Sequence, residues 1–364
     1  MNRRISSNQL VSLCFVAMLC PFFRLIPGSA AQMAGKAAWL SVALSGIPSL
    51  ALSCILSHFL SGFAKGTGLG EAVLRALGPT GGRILLLIWC LWLLFHCSFV
   101  ACSGADRFIA TIYPNTGPQL FIVLMLLICT IASTGTVTPL ARASQIFRPL
   151  LLGVILLVLG FSLNDVHPSC VFPIFRPDGW KALQAIPLAA ESVSVVLISA
   201  AFLAGNLRPD AEAGKKWPFL LGVTLLVVAV CLITIGNLGQ KQTAQEDYPF
   251  FILLRDLRLF TGVERVDALV VALWLLPDFL LISMELVMLR DCLLLVVPED
   301  WGPGLQKLLP WLCLVLTLVI SLSIAPGKDS LHRWGNGLIP YTQLLWAYGV
   351  YPVVWLVSLF RKKF

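Results

Sequence analysis

Charge is what this sequence has least of. Only 12% of its 364 residues are Asp, Glu, Lys or Arg, against about a quarter in an ordinary soluble domain. No polar stretch is long enough to fold as a soluble domain by itself. The common catalytic signatures are missing: there is no P-loop, no HExxH and no GxSxG. His167 and His332 stand apart, without ligand spacing. An enzyme is therefore not expected. Eleven cysteines are present but no CxxC, and nine of them sit inside apolar runs, from Cys14 to Cys313. They read as small hydrophobes packed between helices, with no disulfide framework, no metal site and no cofactor implied.

What the chain does have is apolar length. It is 58% hydrophobic, with a mean hydropathy of +0.88. That composition points to an all-α polytopic membrane protein. The net charge of +8 fits Lys and Arg gathered in short cytoplasmic loops better than nucleic-acid binding. Charge-free runs and their polar breaks predict ten spans, near 9–28, 39–60, 84–104, 117–134, 146–162, 183–203, 217–236, 267–290, 308–325 and 338–359. Each is long enough to cross roughly 30 Å of hydrocarbon as a helix, and none alternates as a barrel strand must. Asn2-Arg3-Arg4 and Gly28-Ser29-Ala30 bracket the first run like a signal peptide. With so many spans behind it, that run is expected to remain as a span.

With the N-terminus in the cytoplasm, fifteen Lys and Arg fall in inside segments and ten in outside ones, Arg107 among the latter. Four of the ten lie in one outer loop, 237–266. The bias places both termini inside. That loop spaces Phe251, Leu254, Leu257 and Val263 almost helically, with Arg255, Asp256 and Arg258 between them. It reads as a short amphipathic helix over the outer face, either a structural cap or a lid.

Ten spans divide into two fives: one transmembrane domain over 1–364, with repeat one about 1–165 and repeat two about 180–364. Span one carries Ile26-Pro27-Gly28-Ser29-Ala30 and span six carries Ile186-Pro187-Leu188-Ala189-Ala190, 160 residues later. Helix-breaking residues in corresponding spans of two halves point to an inverted-repeat transporter fold with broken helices one and six. An odd number of spans per half makes the halves insert with opposite orientation. A proline removes a backbone donor, and small residues behind it leave helical geometry cheaply. The freed N–H groups carry partial positive charge and accept a carboxylate. The bland alternative is a pair of proline kinks.

Ionisable groups inside spans are functional candidates by default. Here they are Arg24 in span one, Glu191 in span six, and Asp278 and Glu285 in span eight. A lone Arg at the bilayer centre costs at least about 2.5 kcal/mol, so Arg24 is expected to pair with Glu191 or Asp278. Arg24 then binds a substrate carboxylate, or an acid carries a proton, or the charges form a structural ion pair. Glu285 is placed near the inner end, within reach of Arg290. His96 in span three is expected to be neutral and hydrogen-bonded.

Several stretches, in order, resemble one family along the whole chain. These are "ISSNQLVSL" (5–13), "IPGSAAQMAGKAAWLSVAL" (26–44), "GLGEAVLRALGPTGGRIL" (68–85), "FPIFRPDGW" (172–180) and "YPFFILLRDLRLFTGVERVDALVVALWLLPDF" (248–279). The chain resembles the B subunit of GerA-type spore germinant receptors, the endospore germination permeases. That family is similar to amino-acid permeases of the APC superfamily, with the LeuT-like fold. The chain departs from it at Cys20-Pro21 and in carrying Arg24.

The resemblance implies a receptor subunit in the spore inner membrane, beside an A-type membrane subunit and a C-type lipoprotein. A small germinant, an amino acid for preference, binds a midplane pocket and triggers germination. The implied pocket comprises Pro27, Gly28, Ser29 and Ala30 of span one and Ala189, Glu191 and Ser192 of span six. Phe95, Ser98 and Phe99 of span three and Asp278 and Ser283 of span eight complete it. The Gly28-to-Ala30 amides take a carboxylate, and Glu191 or Asp278 an ammonium. The alternatives are a proton-coupled amino-acid transporter of the same superfamily and a structural subunit with an empty pocket.

Overall fold

The computed structural model describes residues 4–112, 116–174, 176–208, 216–246, 248–256, 272–297, 303–324, 331 and 333–361. Among them every regular element is helical, apart from an isolated bridge between Ile5 and Leu207.

Span one begins at α1 (Ser7–Leu25). The Ser6 hydroxyl accepts the Gln9 N–H at 3.2 Å, and the Gln9 amide oxygen accepts the Ser6 N–H at 2.9 Å. This reciprocal cap explains the Ser-x-x-Gln spacing of the opening stretch. The helix stops at Ile26, which is extended (φ −112°, ψ 132°), and α2 (Gly28–Ala34) starts afresh behind Pro27. Pro27 has no N–H to continue the ladder, and Gly28 favours helix weakly. Span one is therefore broken where expected. Gly35, at φ 55°, turns the chain through a short 3-10 segment into α3 (Ala38–Ser61), span two.

Span three lies in α4 (Leu69–Ile112), which kinks at Gly78 in a left-handed conformation (φ 81°). Spans four and five are α5 (Gln119–Ser133) and α6 (Thr138–Ser162). A single turn, α7 (Pro168–Val171), precedes α8 (Arg176–Leu203), span six. Span seven is α9 (Lys216–Gln245), followed by α10 (Pro249–Asp256). Spans eight and nine are α11 (Leu275–Val296) and α12 (Pro303–Ile324). Span ten is α13, residues 334–361, with π-helical stretches at Trp334–Leu338 and Leu345–Val350.

Seven helical stretches among the described residues are long and apolar enough to cross a membrane. The other three expected spans fall on α1, whose side chains are described to Phe23, on α5, which is shorter, and on α11, which carries Asp278, Glu285, Arg290 and Asp291.

Span six is not broken. The helix runs unbroken through Pro187, correcting the expectation of a second break. The difference lies in the residues behind each proline. Pro27 precedes Gly-Ser, whereas Pro187 precedes Leu188-Ala189-Ala190, three good helix formers that carry the ladder past one missing N–H.

The packing repeats with a five-span offset. Span one lies on span five and span six on span ten; span three lies on span nine and span eight on span four. Spans one and six, two and seven, and three and eight pack on each other. α11 is buried on every side from Leu280 to Leu289, Ser283 and Glu285 included. The outer helices instead expose Leu87, Ile88, Leu91, Ile128, Ile131, Val315, Val319 and Leu345, a surface suited to lipid tails.

The outer segment does form a helix, but it is buried rather than laid on the surface. Phe250 and Phe251 of α10 are sunk against Phe23 and Trp274, with ring centroids 4.5–5.8 Å apart. Leu257 and Val263 lie outside the described residues, as does the Leu254 side chain.

Candidate functional site between spans one, three, six and eight

The break in span one places Pro27, Gly28, Ser29 and Ala30 in the protein interior. The α2 amides therefore open into protein and not into lipid, as a broken helix requires. Gly28 is closely covered. A Cβ there would sit 3.3 Å from the Glu246 carbonyl oxygen and 3.5 Å from the Pro249 ring. The outer segment is thus seated directly on the break.

Both halves of span one pack on α8. There Ala189, Glu191, Ser192 and Ser194 are all buried. The Ser192 hydroxyl donates to Glu191 Oε2 at 3.3 Å, and Gln343 of span ten donates to the Ser194 hydroxyl at 3.2 Å. Glu191 is an acid held at the centre of the bundle beside the broken span.

Two further buried acids lie on α11, two turns apart, and both reach span three. Asp278 forms an ion pair with Arg107, and both side chains are buried. Gly104 makes room for it, since a Cβ there would stand 2.9 Å from Asp278 Oδ2. The Arg107 guanidinium lies 5.8 Å from the ring centroids of Tyr248 and Phe251. Tyr248 also donates to Asp106 at 3.4 Å. The aromatic segment that covers the break therefore also covers this ion pair, through cation–π contacts.

Glu285 accepts from His96 Nδ1 at 2.8 Å and from the Cys97 thiol at 3.2 Å, all three buried. His96 stacks on Trp92 at 4.7 Å, and Trp92 on Trp89 at 4.8 Å. The order of the pairs, 278 with 107 and 285 with 96, means that spans three and eight run antiparallel.

These contacts correct two expectations. Arg107, counted from sequence as outer loop, is buried in span three against Asp278; the side chain of Arg24, expected to pair with Glu191 or Asp278, lies outside the described residues. Glu285 does not meet Arg290, which instead holds Asp291 at 2.7 Å and the carbonyls of Ser133 and Gly135 at 2.6 Å. Two span-three residues of the implied pocket have described contacts to other spans. Phe95 stacks on Trp334 of span ten at 4.5 Å, and Ser98 donates to the Leu94 and Thr317 carbonyls. Phe99 and Ser283 are buried. His96 has the hydrogen-bonded partner expected of it. Arg107 was legible in principle, because the apolar run continues past it to Ile112.

Among the described residues no group of three or more His, Cys, Asp and Glu is placed to hold a metal ion. The arrangement offers instead a broken helix with its amides turned inward, a buried acid on the neighbouring span, and an outer segment closed over the break.

The fold is shared with a Na+-coupled sialic acid symporter in its substrate-bound outward-open state. The TM-score is 0.64 at 15% identity, over 98% of this chain and 79% of the symporter. At that identity the likeness shows the fold alone, a LeuT-like transporter architecture. No curated protein matches the chain in sequence. The spore germination protein family, described as a spore permease, matches residues 4–327. Nearly the whole of this helical bundle lies within that match, and the chain belongs to the spore germination protein family: an integral membrane, permease-type protein and not an enzyme.

Proposed function

We propose that the chain is the B subunit of a spore germinant receptor. In this reading it binds a small germinant, an amino acid, at the span-one break and helps to trigger germination. The observation that carries the proposal is the interior position of Gly28, Ser29 and Ala30 at the start of α2, with Glu246 and Pro249 closed over them. The α2 amides receive the carboxylate. Glu191, with Ala189 and Ser192 beside it, or Asp278, which also meets Arg107, takes the ammonium. The partners are an A-type membrane subunit and a C-type lipoprotein. The location is the spore inner membrane, with both termini cytoplasmic and the whole chain one transmembrane domain of two five-span repeats. Signalling requires that the ligand bind one conformation of the bundle better than another.

The test is a thermal-shift screen of the twenty amino acids on the purified protein, at pH 5.5 and 7.5. Gly28→Trp is run beside it, since an indole there displaces the Glu246–Pro249 cover. An amino acid that stabilises the native protein and not Gly28→Trp supports the site. A shift that survives Gly28→Trp removes the site from the break.

A second reading, a proton-coupled amino-acid transporter, is favoured by one observation. Glu285 and His96 form a buried, hydrogen-bonded pair that can hold a proton. Uptake of the stabilising amino acid into proteoliposomes, driven by a pH gradient, separates this reading from a receptor that only binds.

A further inference from the structure

A cavity of about 210 Å³ lies away from the break, between α1, α3, α8 and α9. Its wall is built from Leu10, Cys14, Leu56, Leu60, Phe219 and Leu220, with the small side chains of Ala200 and Ala201 leaving the space open. Ser7, the first residue of α1, lies at one end of this lining. From Ser7 to Cys14 the cavity follows α1 for about 10 Å, at 1.5 Å per residue. Apart from the hydroxyls of Ser7 and Ser53 the wall is apolar and carries no charged group, so this cavity is not a second amino-acid site.

The chain at the same end is basic. The Ile5 N–H donates to the Asn206 carbonyl at 2.9 Å, and the Arg208 N–H donates to the Ile5 carbonyl at 3.0 Å. These two bonds pin the start of the chain to the end of span six. Arg4 and Arg208, both exposed, are thereby held on either side of one short ladder. Lys216 opens α9 one turn before Phe219 and Leu220. α1 begins and α8 ends here, so the arginines stand where the bundle leaves the hydrocarbon.

We propose that this is a lipid site: one acyl chain of an anionic phospholipid fills the cavity, and its phosphate rests against Arg4 and Arg208. The two halves of the ligand answer the two halves of the site. A dry apolar void leaves its lining without dispersion partners, and water gains little there. The bilayer supplies hydrocarbon at the mouth. Basic groups at the membrane surface beside an apolar slot between helices are the combination that selects an anionic headgroup with its tail. The site touches both spans one and six, the two helices that flank the candidate germinant pocket. A bound lipid therefore ties the foot of span one to the foot of span six.

The experiment uses the delipidated full-length protein in detergent. Its unfolding temperature is followed on adding dioleoyl-phosphatidylglycerol, dioleoyl-phosphatidylcholine or glycerol 3-phosphate. Phosphatidylglycerol is expected to raise the midpoint by about 4 °C more than phosphatidylcholine, and glycerol 3-phosphate to leave it unmoved. Ala200→Phe, which fills the slot, removes the excess shift. Arg4→Gln with Arg208→Gln brings phosphatidylglycerol down to the phosphatidylcholine value. The arginine pair is at the surface and tests the site even if Ala200→Phe does not fold. Equal shifts from the two lipids overturn the proposal. So does a full shift from glycerol 3-phosphate alone, or an excess that survives the arginine replacements.

Discussion

Arg107 of span three and Asp278 of span eight are buried against each other, beneath the rings of Tyr248 and Phe251. Removing one partner leaves the other as an uncompensated charge. Asp278→Leu and Arg107→Met are each expected to destabilise the protein by about 3–5 kcal/mol, whereas the two combined recover most of that loss. Thermal unfolding of the two single variants and the double variant measures it. Additive losses in the double variant would mean the pair is not coupled.

Gly104 tests the same contact from the side. Gly104→Ala places a methyl group 2.9 Å from Asp278 Oδ2, and overpacking of this kind costs about 1–3 kcal/mol. A Gly104→Ala protein with an unchanged unfolding midpoint would show that the helices have room to spare there.

Glu285 has two donors to satisfy. Glu285→Ala strands His96 Nδ1 and the Cys97 thiol in the interior, at about 1–3 kcal/mol for each buried group. Glu285→Gln keeps an acceptor and is expected to cost less. Chemical denaturation of both variants ranks them, and an equal cost would remove the acceptor role.

The two prolines are expected to behave differently. Pro187→Ala returns an N–H to a helix that is already continuous, so it should be neutral or stabilising. It should leave ligand binding intact, as read by the same thermal shift. Loss of binding in Pro187→Ala would restore span six to the role of a broken helix.

Glu191→Gln checks the ammonium role. It is expected to weaken an amine-bearing germinant by about 2–3 kcal/mol while the ligand-free protein unfolds at nearly its usual temperature. Titration calorimetry with the germinant and with its des-amino analogue decides it, because only the former should lose affinity.

The membrane bundle was legible because a charge-free run of twenty residues has one physical solution in lipid. The first break was legible because Pro27 and Gly28 act together. The second was misread, because a proline alone does not stop a helix when Leu188, Ala189 and Ala190 come after it. Asp278 and Glu285 stood out as charges in an apolar run, and their common face followed from the helical period. Their partners did not. Arg107 lies 171 residues from Asp278 along the chain, and no local pattern joins them. It was also assigned to a loop, because Ser103, Asp106 and Arg107 look like the polar end of a span. In fact the helix continues to Ile112, and those groups turn inward to meet span eight and Tyr248.

The contact between Gly28 and the Glu246–Pro249 segment has a kinetic meaning. A ligand arriving from that side must wait for main chain to lift, because the atoms in the way are a carbonyl and a proline ring, not a side chain that can swing aside. Its observed association rate should therefore level off at high concentration, at the rate at which the cover opens. The protein would then time its response by its own motion, however abruptly the nutrient arrives.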